Sequence, residues 1–146
     1  MTNTVVPDSS ALTAFLVGSD EQADRIRTET AYNRLAVPNG VDLQVSGLLH
    51  ILVQQPGLLP EAEAVRALEL LRVMQLDRHD TMPLTARIWS LRNVLSPYDA
   101  ACAALAELLD AELLTLDPAF TAASLSCPIR DLRHPADDRS LNKKRS

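Results

Sequence analysis

Three aspartates stand where a chain could assemble a cation site. Asp8 closes the apolar run TVVPD, Asp117 closes LLTLD, and Asp99 lies in SPYDA just ahead of the second run. If both runs are parallel strands, their ends share one sheet edge, and open α/β folds build their sites at that edge. Several carboxylates there repel one another and need a cation, and carboxylate oxygens suit hard Mg²⁺ or Mn²⁺. Such a centre can neutralise a phosphodiester, lower the pKa of water and stabilise a leaving oxygen. The chemistry expected is metal-assisted phosphodiester hydrolysis with water as nucleophile. Each aspartate also has a plainer reading. Asp8 can cap the helix of SSALTAFL, Asp117 can cap an Asp-Pro turn, and Asp99 can be the acid of a capping box opened by Ser96.

The elements that must position these residues follow from short apolar runs alternating with longer helical patterns. TVVPD (4–8), RLAVPN (34–39) and ELLTLD (112–117) read as strands, with short candidates in LDRHD (76–80) and CPIRDL (127–132). Between them, SSALTAFLV places Leu12, Phe15 and Leu16 on one helical face, with Gly18 as the stop. A polar helix follows in DEQADRIRTETAYN. VDLQVSGLLH opens another, with Asp42 as its cap and Val45, Leu48, Leu49, Leu52 and Val53 on its apolar face. A helix over about 61–74 turns Val65, Leu68 and Leu71 inward, and one over 84–94 carries Leu84, Ile88, Leu91 and Leu95. Ser96-Pro97 starts the next, on which Tyr98, Cys102, Leu105 and Leu109 share a face. Continuously apolar strands alternating with helices predict an α/β fold: a mostly parallel sheet of four to five strands, covered on both faces.

The bulk composition agrees. The chain has 146 residues, 47% hydrophobic and 23% charged, which suits one domain with a real core. We expect that domain over residues 1–134, followed by a disordered basic tail (135–146) carrying Lys143 and Lys144, the only lysines. The net charge of −5 and the 3% aromatic content exclude a globally basic field or an aromatic platform for nucleic acid. Any RNA contact must come from local arginines or metal ions. No apolar run spans a bilayer, and MTNTVVPD has no signal-peptide pattern, so the expected location is the cytoplasm, with no membrane partner. Cys102 and Cys127 form no CxxC pair, and His50, His79 and His134 lack metal-ligand spacing. A receiver domain or a haloacid-dehalogenase-type phosphatase needs a lysine after a late strand, and none precedes residue 143. Walker and GxGxxG loops are also missing.

Two stretches carry a family resemblance across residues 4–132. VVPDSSALTAFL is similar to a strand followed by Asp-x-Ser-x-Leu. LRNVLSPYDAACAALAELLDAELLTLDPAF resembles a run of Leu-Arg, Tyr-Asp-Ala, an Ala-Leu-Ala-Glu helix and Thr-x-Asp. Both are features of PIN-domain ribonucleases of the VapC toxin type. The resemblance implies a three-layer α/β/α sandwich and Mg²⁺- or Mn²⁺-dependent RNA cleavage. It puts Asp8, Asp99 and Asp117 on acidic metal-ligand positions, and Ser10 and Thr115 on supporting hydroxyl positions. It also implies a homodimer and a cognate antitoxin whose tail covers the acidic groove, a basic segment that this acidic chain would complement.

The chain departs from the pattern twice. Pro7 replaces an aliphatic residue before the first aspartate and, lacking an N–H, should sit at the strand end or a bulge. Gln44 stands where the family places a glutamate, and His50 where an arginine often follows. An amide can orient a ligand or water but carries no charge and cannot act as a base. Asp42 does not replace it, because two residues along a helix is a turn of roughly 200°. The site therefore supports two expectations: a working ribonuclease in which Gln44 orients ligands, or a weakened or inactive PIN-like protein that binds RNA or antitoxin without cutting. Candidate RNA contacts beside Ser10 are Arg87, Arg92 and Asn93, ahead of Asp99; arginine grips phosphate through two parallel hydrogen bonds.

Overall fold

The computed structural model describes residues 3–133; His134 and the proposed tail lie outside them. Along the chain run β1 (Thr4–Pro7), α1 (Ser9–Val17), α2 (Glu21–Ala31), β2 (Arg34–Pro38), α3 (Val41–Gln54), α4 (Glu61–Val73) and β3 (Leu76–His79). A 3₁₀ turn (Met82–Leu84) leads to α5 (Thr85–Ser90), α6 (Pro97–Leu109), β4 (Glu112–Thr115), α7 (Ala119–Ala122) and β5 (Ile129–Asp131). The five strands form one all-parallel sheet in the order β3-β2-β1-β4-β5.

Strand periodicity sorts the core into two layers. Val6, Ala36 and Leu113 face α6 and pack with Cys102, Leu105 and Phe120. Val5, Leu35 and Leu114 face the other way, against Ala11 and Ile26. Val37 meets α1, α3 and α4 through Leu12, Val45, Leu49 and Leu71. Helices thus cover both faces, as the continuously apolar strands require, and the result is the expected α/β/α sandwich.

The strand order reverses between β1 and β4, so their carboxyl ends flank the sheet's switch point. Pro7 is the last residue of β1, paired with Leu114, where its missing N–H costs little. The ladder resumes at once, with the Asp8 N–H donating to the Leu114 carbonyl at 3.0 Å.

Three local expectations are corrected. Asp42 is not the cap of α3. Gly40, at φ +95°, holds that position, because the turn out of β2 needs the left-handed conformation that glycine adopts without strain. Asp42 lies in the first turn and binds Arg78 instead. On α4, the buried face is Ala64, Ala67 and Leu71, while Val65 and Leu68 are exposed. Small residues let α4 approach α1 and α3 closely, and that contact fixed the rotation of the helix. The predicted helix over 84–94 breaks into a 3₁₀ turn, the short α5 and a further run of turns. Even so, Leu84, Ile88, Leu91 and Leu95 still reach one core.

Candidate functional site

Asp8 is 1% exposed and is held from three sides. Its Oδ1 accepts from Ser10 Oγ at 2.7 Å and from the Ala11 N–H at 2.8 Å, and its Oδ2 accepts from Thr115 Oγ1 at 2.5 Å. The Ala11 bond makes Asp8 the cap of α1, as its plainer reading expects. Oδ1 has both lone pairs occupied, and Oδ2 keeps one for a further partner. Thr115 Oγ1 also accepts from the Asp117 N–H at 2.8 Å, and Ser10 Oγ accepts from the Leu116 N–H at 3.0 Å. These two hydroxyls therefore tie the end of β1 to the end of β4. Asp117 Oδ1 takes the Ala119 N–H at 2.9 Å, closing the expected Asp-Pro turn.

Asp99 arrives from the opposite helical layer. Ser96 occupies the N-cap position of α6 without a side-chain cap bond, so the expected capping box does not form on its side; Pro97 takes the first position, and Asp99 lies in the first turn. Ser9 Oγ donates to Asp99 Oδ1 at 3.0 Å, joining α1 to α6 across 90 residues of sequence. The sequence did not single out Ser9. Its only local signal is its place in the Asp-Ser-Ser triplet at a helix start.

These groups open into one cleft of about 420 Å³, lined by Ser9, Ser10, Thr13, Gln44, Leu48, Ile51, Leu52, Asp99 and Asp117. Gln44, in the first turn of α3, therefore faces Asp99 and Asp117 across shared space, with Asp8 buried beside Ser9 and Ser10. The Leu48, Ile51 and Leu52 wall, a continuation of the α3 apolar face, was not anticipated as part of a site. Arg87, Arg92 and Asn93 do not line the cleft. The Arg87 guanidinium is spent on Glu107 (Nε–Oε1 2.8 Å), on Ser90 and on the Ser124 carbonyl. Arg92 lies over the Trp89 ring at 4.6 Å and donates to the Trp89 carbonyl. A larger recess of about 590 Å³ lies at the amino-terminal edge of the sheet, but Arg130 already pairs with its acids Glu29 and Glu112.

The cleft is short of positive charge. Burial pushes the Asp8 carboxyl up to about 6, against the opposing bonds from Thr115, Ala11 and Ser10, and Asp99 adds repulsion. Burial also raises Asp99, with Asp117 adding repulsion and Ser9 and Ser96 resisting. None of the ion pairs among the described residues involves Asp8, Asp99 or Asp117. Thr13 Oγ1 is buried at the cleft without a hydrogen-bond partner. All of these donors are hard oxygens, so the set fits Mg²⁺ or Mn²⁺. Among the described residues no three His, Cys, Asp or Glu side chains converge as a complete cage.

A parallel α/β/α sandwich with an acidic cleft at its β1–β4 switch point defines the class. The chain belongs to the PIN domain family, whose model matches residues 5–124. Within the family it is of the VapC type. It is 36% identical over 126 residues to Ribonuclease VapC9 of Mycobacterium tuberculosis, covering 86% of this chain and 95% of that one. It is 33% identical over 119 residues to Ribonuclease VapC3 of the same organism, covering 82% and 86%. Among solved structures, VapC20 of Mycobacterium tuberculosis, a sarcin-ricin loop cleaving toxin, shares the fold with a TM-score of 0.62 at 18% identity. The overlap covers 83% of this chain and 95% of that one. VapBC2 from Rickettsia felis, bound to a DNA fragment from its promoter, matches at TM-score 0.60 and 12% identity, covering 88% and 98%.

Proposed function

We propose that this protein is a Mg²⁺- or Mn²⁺-dependent endoribonuclease, the toxin of a toxin–antitoxin pair. The observation that carries the reading is the shared cleft. Asp99, Asp117 and Gln44 face it from three separate elements, beside the buried Asp8. The kinship with proteins named VapC ribonucleases supports the substrate class. Asp8, Asp99 and Asp117 would hold the cation, which when bound supplies charge neutralisation at the phosphodiester and a lower pKa for the attacking water. The chain's own residues do the positioning. Thr115 and Ser10 fix Asp8, Ser9 fixes Asp99, and Gln44 offers an amide to orient water or a phosphate oxygen. The Leu48–Ile51–Leu52 wall limits water on one side of the cleft. A homodimer and a basic antitoxin segment over the groove are the assembly we propose. The net charge of −5 supports a basic partner.

Gln44 motivates a second reading, a weakened nuclease or a non-cutting binder. It lines the cleft, so the missing charge is missing at the site itself. Both readings are tested with purified protein, labelled RNA and Mn²⁺. The first expects cleavage that EDTA and Asp99→Asn abolish. The second expects no cleavage until Gln44→Glu restores it. Failure of both the natural protein and Gln44→Glu to cut or bind RNA would sink the pair.

A further inference from the structure

We propose that the apolar end of the cleft is a nucleoside subsite, where Thr13 bonds the ribose 2′-hydroxyl beside the scissile phosphate and the α3 wall takes the base. The inference deepens the ribonuclease reading above and rests on it. The cleft has two unlike ends. Ser9, Ser10 and Gln44 line it together with Asp99 and Asp117, and Thr13, Leu48, Ile51 and Leu52 carry it on. α1 follows β1 and α3 follows β2, so both helices start at the carboxyl edge of the parallel sheet and lead away from it. They share a core through Leu12, Val45 and Leu49. Along α1, Thr13 comes one turn after Ser9; along α3, Leu48 comes one turn after Gln44, and Ile51 and Leu52 a second turn on. Each turn advances about 5.4 Å. The lining therefore passes from acid to hydroxyl to hydrocarbon, the order in which a nucleotide presents phosphate, ribose and base.

Thr13 is unlike the threonines of the neighbouring helix. Thr28 and Thr30 on α2 donate to the carbonyls four residues back, at 3.0 and 2.8 Å. Thr13 Oγ1 is buried and has no hydrogen-bond partner among the described residues. A buried hydroxyl left unpaired has lost its hydration for nothing, so valine, of nearly the same shape, would serve the fold at least as well. Threonine populates two χ1 settings in a helix, so a side-chain turn is all that separates this oxygen from the cleft that Thr13 lines. A 2′-hydroxyl donates and accepts, as a threonine hydroxyl does, and it is the group that sets RNA apart from DNA. The wall beyond suits the face of a base. Leu48 and Leu52 are half-buried and Ile51 is 53% exposed, so a base laid on them takes apolar surface out of water. At about 420 Å³ the cleft is the size of a small-molecule site, room for one nucleotide of a strand.

The test is the equilibrium affinity of the whole protein for a labelled single-stranded RNA, by anisotropy in the Asp99→Asn background. The RNA is compared with a set in which each nucleotide in turn is replaced by its 2′-deoxy form. One deoxy position should weaken binding about five-fold, the loss of one hydrogen bond. Thr13→Val should weaken binding of the all-RNA strand by about the same factor, and the penalty at that deoxy position should then vanish. Thr13→Ser, which keeps the hydroxyl, should retain the penalty. Thr13→Val should melt no lower than the natural protein, so its loss is not one of folding. Ile51→Ser should weaken binding about three-fold, and that effect should disappear when the same nucleotide is made abasic. A deoxy penalty that is equal in the natural protein and Thr13→Val overturns the proposal. So does unchanged RNA affinity in Thr13→Val and Ile51→Ser with weakened binding of a basic peptide that competes with RNA, because the wall then belongs to a protein partner. If the natural protein binds and cuts RNA yet shows either result, only the subsite falls. If it neither binds nor cuts RNA, the functional reading falls and the subsite with it.

Discussion

Asp8 shows how one buried carboxylate can brace a fold at a cost to its own charge. It caps α1 and ties β1 to β4, yet it is buried, and its carboxyl is pushed from 3.8 up to about 6. Between those values the folded chain holds a proton that the unfolded chain has released. Its contribution to stability is therefore complete below about pH 3.8 and is lost as pH rises through 6. That shift corresponds to about 3 kcal/mol. In EDTA, Asp8→Asn should therefore melt at a higher temperature than the natural protein near pH 8 and show no gain near pH 4. Its amide keeps the Ser10 and Ala11 bonds and can donate to Thr115 Oγ1. Added Mn²⁺ should raise the melting temperature of the natural protein but not of Asp8→Asn, because binding the folded state stabilises it. Equal responses of the two proteins would remove Asp8 from the cation site.

At the scale of elements, the short α5 is held by its core contacts through Ile88 and by one polar clasp. Glu107 on α6 accepts from Arg87 Nε and Nη2, and from the Ser126 N–H and Oγ. The Arg87 bonds hold the Glu107 carboxyl below its ordinary 4.5, so the stability it adds is present above that value and is lost as pH falls below it. Arg87→Ala should cost about 1 kcal/mol by urea unfolding at neutral pH, and less once Glu107 is protonated. On our assignment its RNA affinity should match the natural protein's. A fall in affinity at unchanged stability would return Arg87 to the RNA contacts.

For the whole molecule, two helical layers brace the sheet and hold its carboxyl edge in register. Leu105 is fully buried at the α6–sheet interface, so Leu105→Ala should cost about 3 kcal/mol, read as a lower urea midpoint at unchanged slope. Leu68→Ser on the exposed face of α4 should stay within about 0.5 kcal/mol. A large loss there would mean that a second copy or a partner covers α4 in solution.

The sequence by itself determined whatever depends on neighbours along the chain. Apolar runs and turns gave the strand and helix order. Strand-end positions picked out Asp8 and Asp117, and Ser96-Pro97 picked out the start of α6. The Thr-x-Asp spacing was also local, since Thr115 bonds the Asp117 N–H two residues on. Only the tertiary structure decided what depends on distant partners. The face of α4 that turns inward follows from close packing on α1 and α3, which periodicity cannot rank when both faces carry leucine. Ser9 meets Asp99 across 90 residues, and Asp42 meets Arg78 across 36. VDLQVSGLLH reads locally as a capped helix. In three dimensions its cap is Gly40, its aspartate pairs with Arg78, and its glutamine lines the cleft that Asp99 and Asp117 share. Hydrogen bonds and charge act over a few ångströms, and only the fold brings those residues that close.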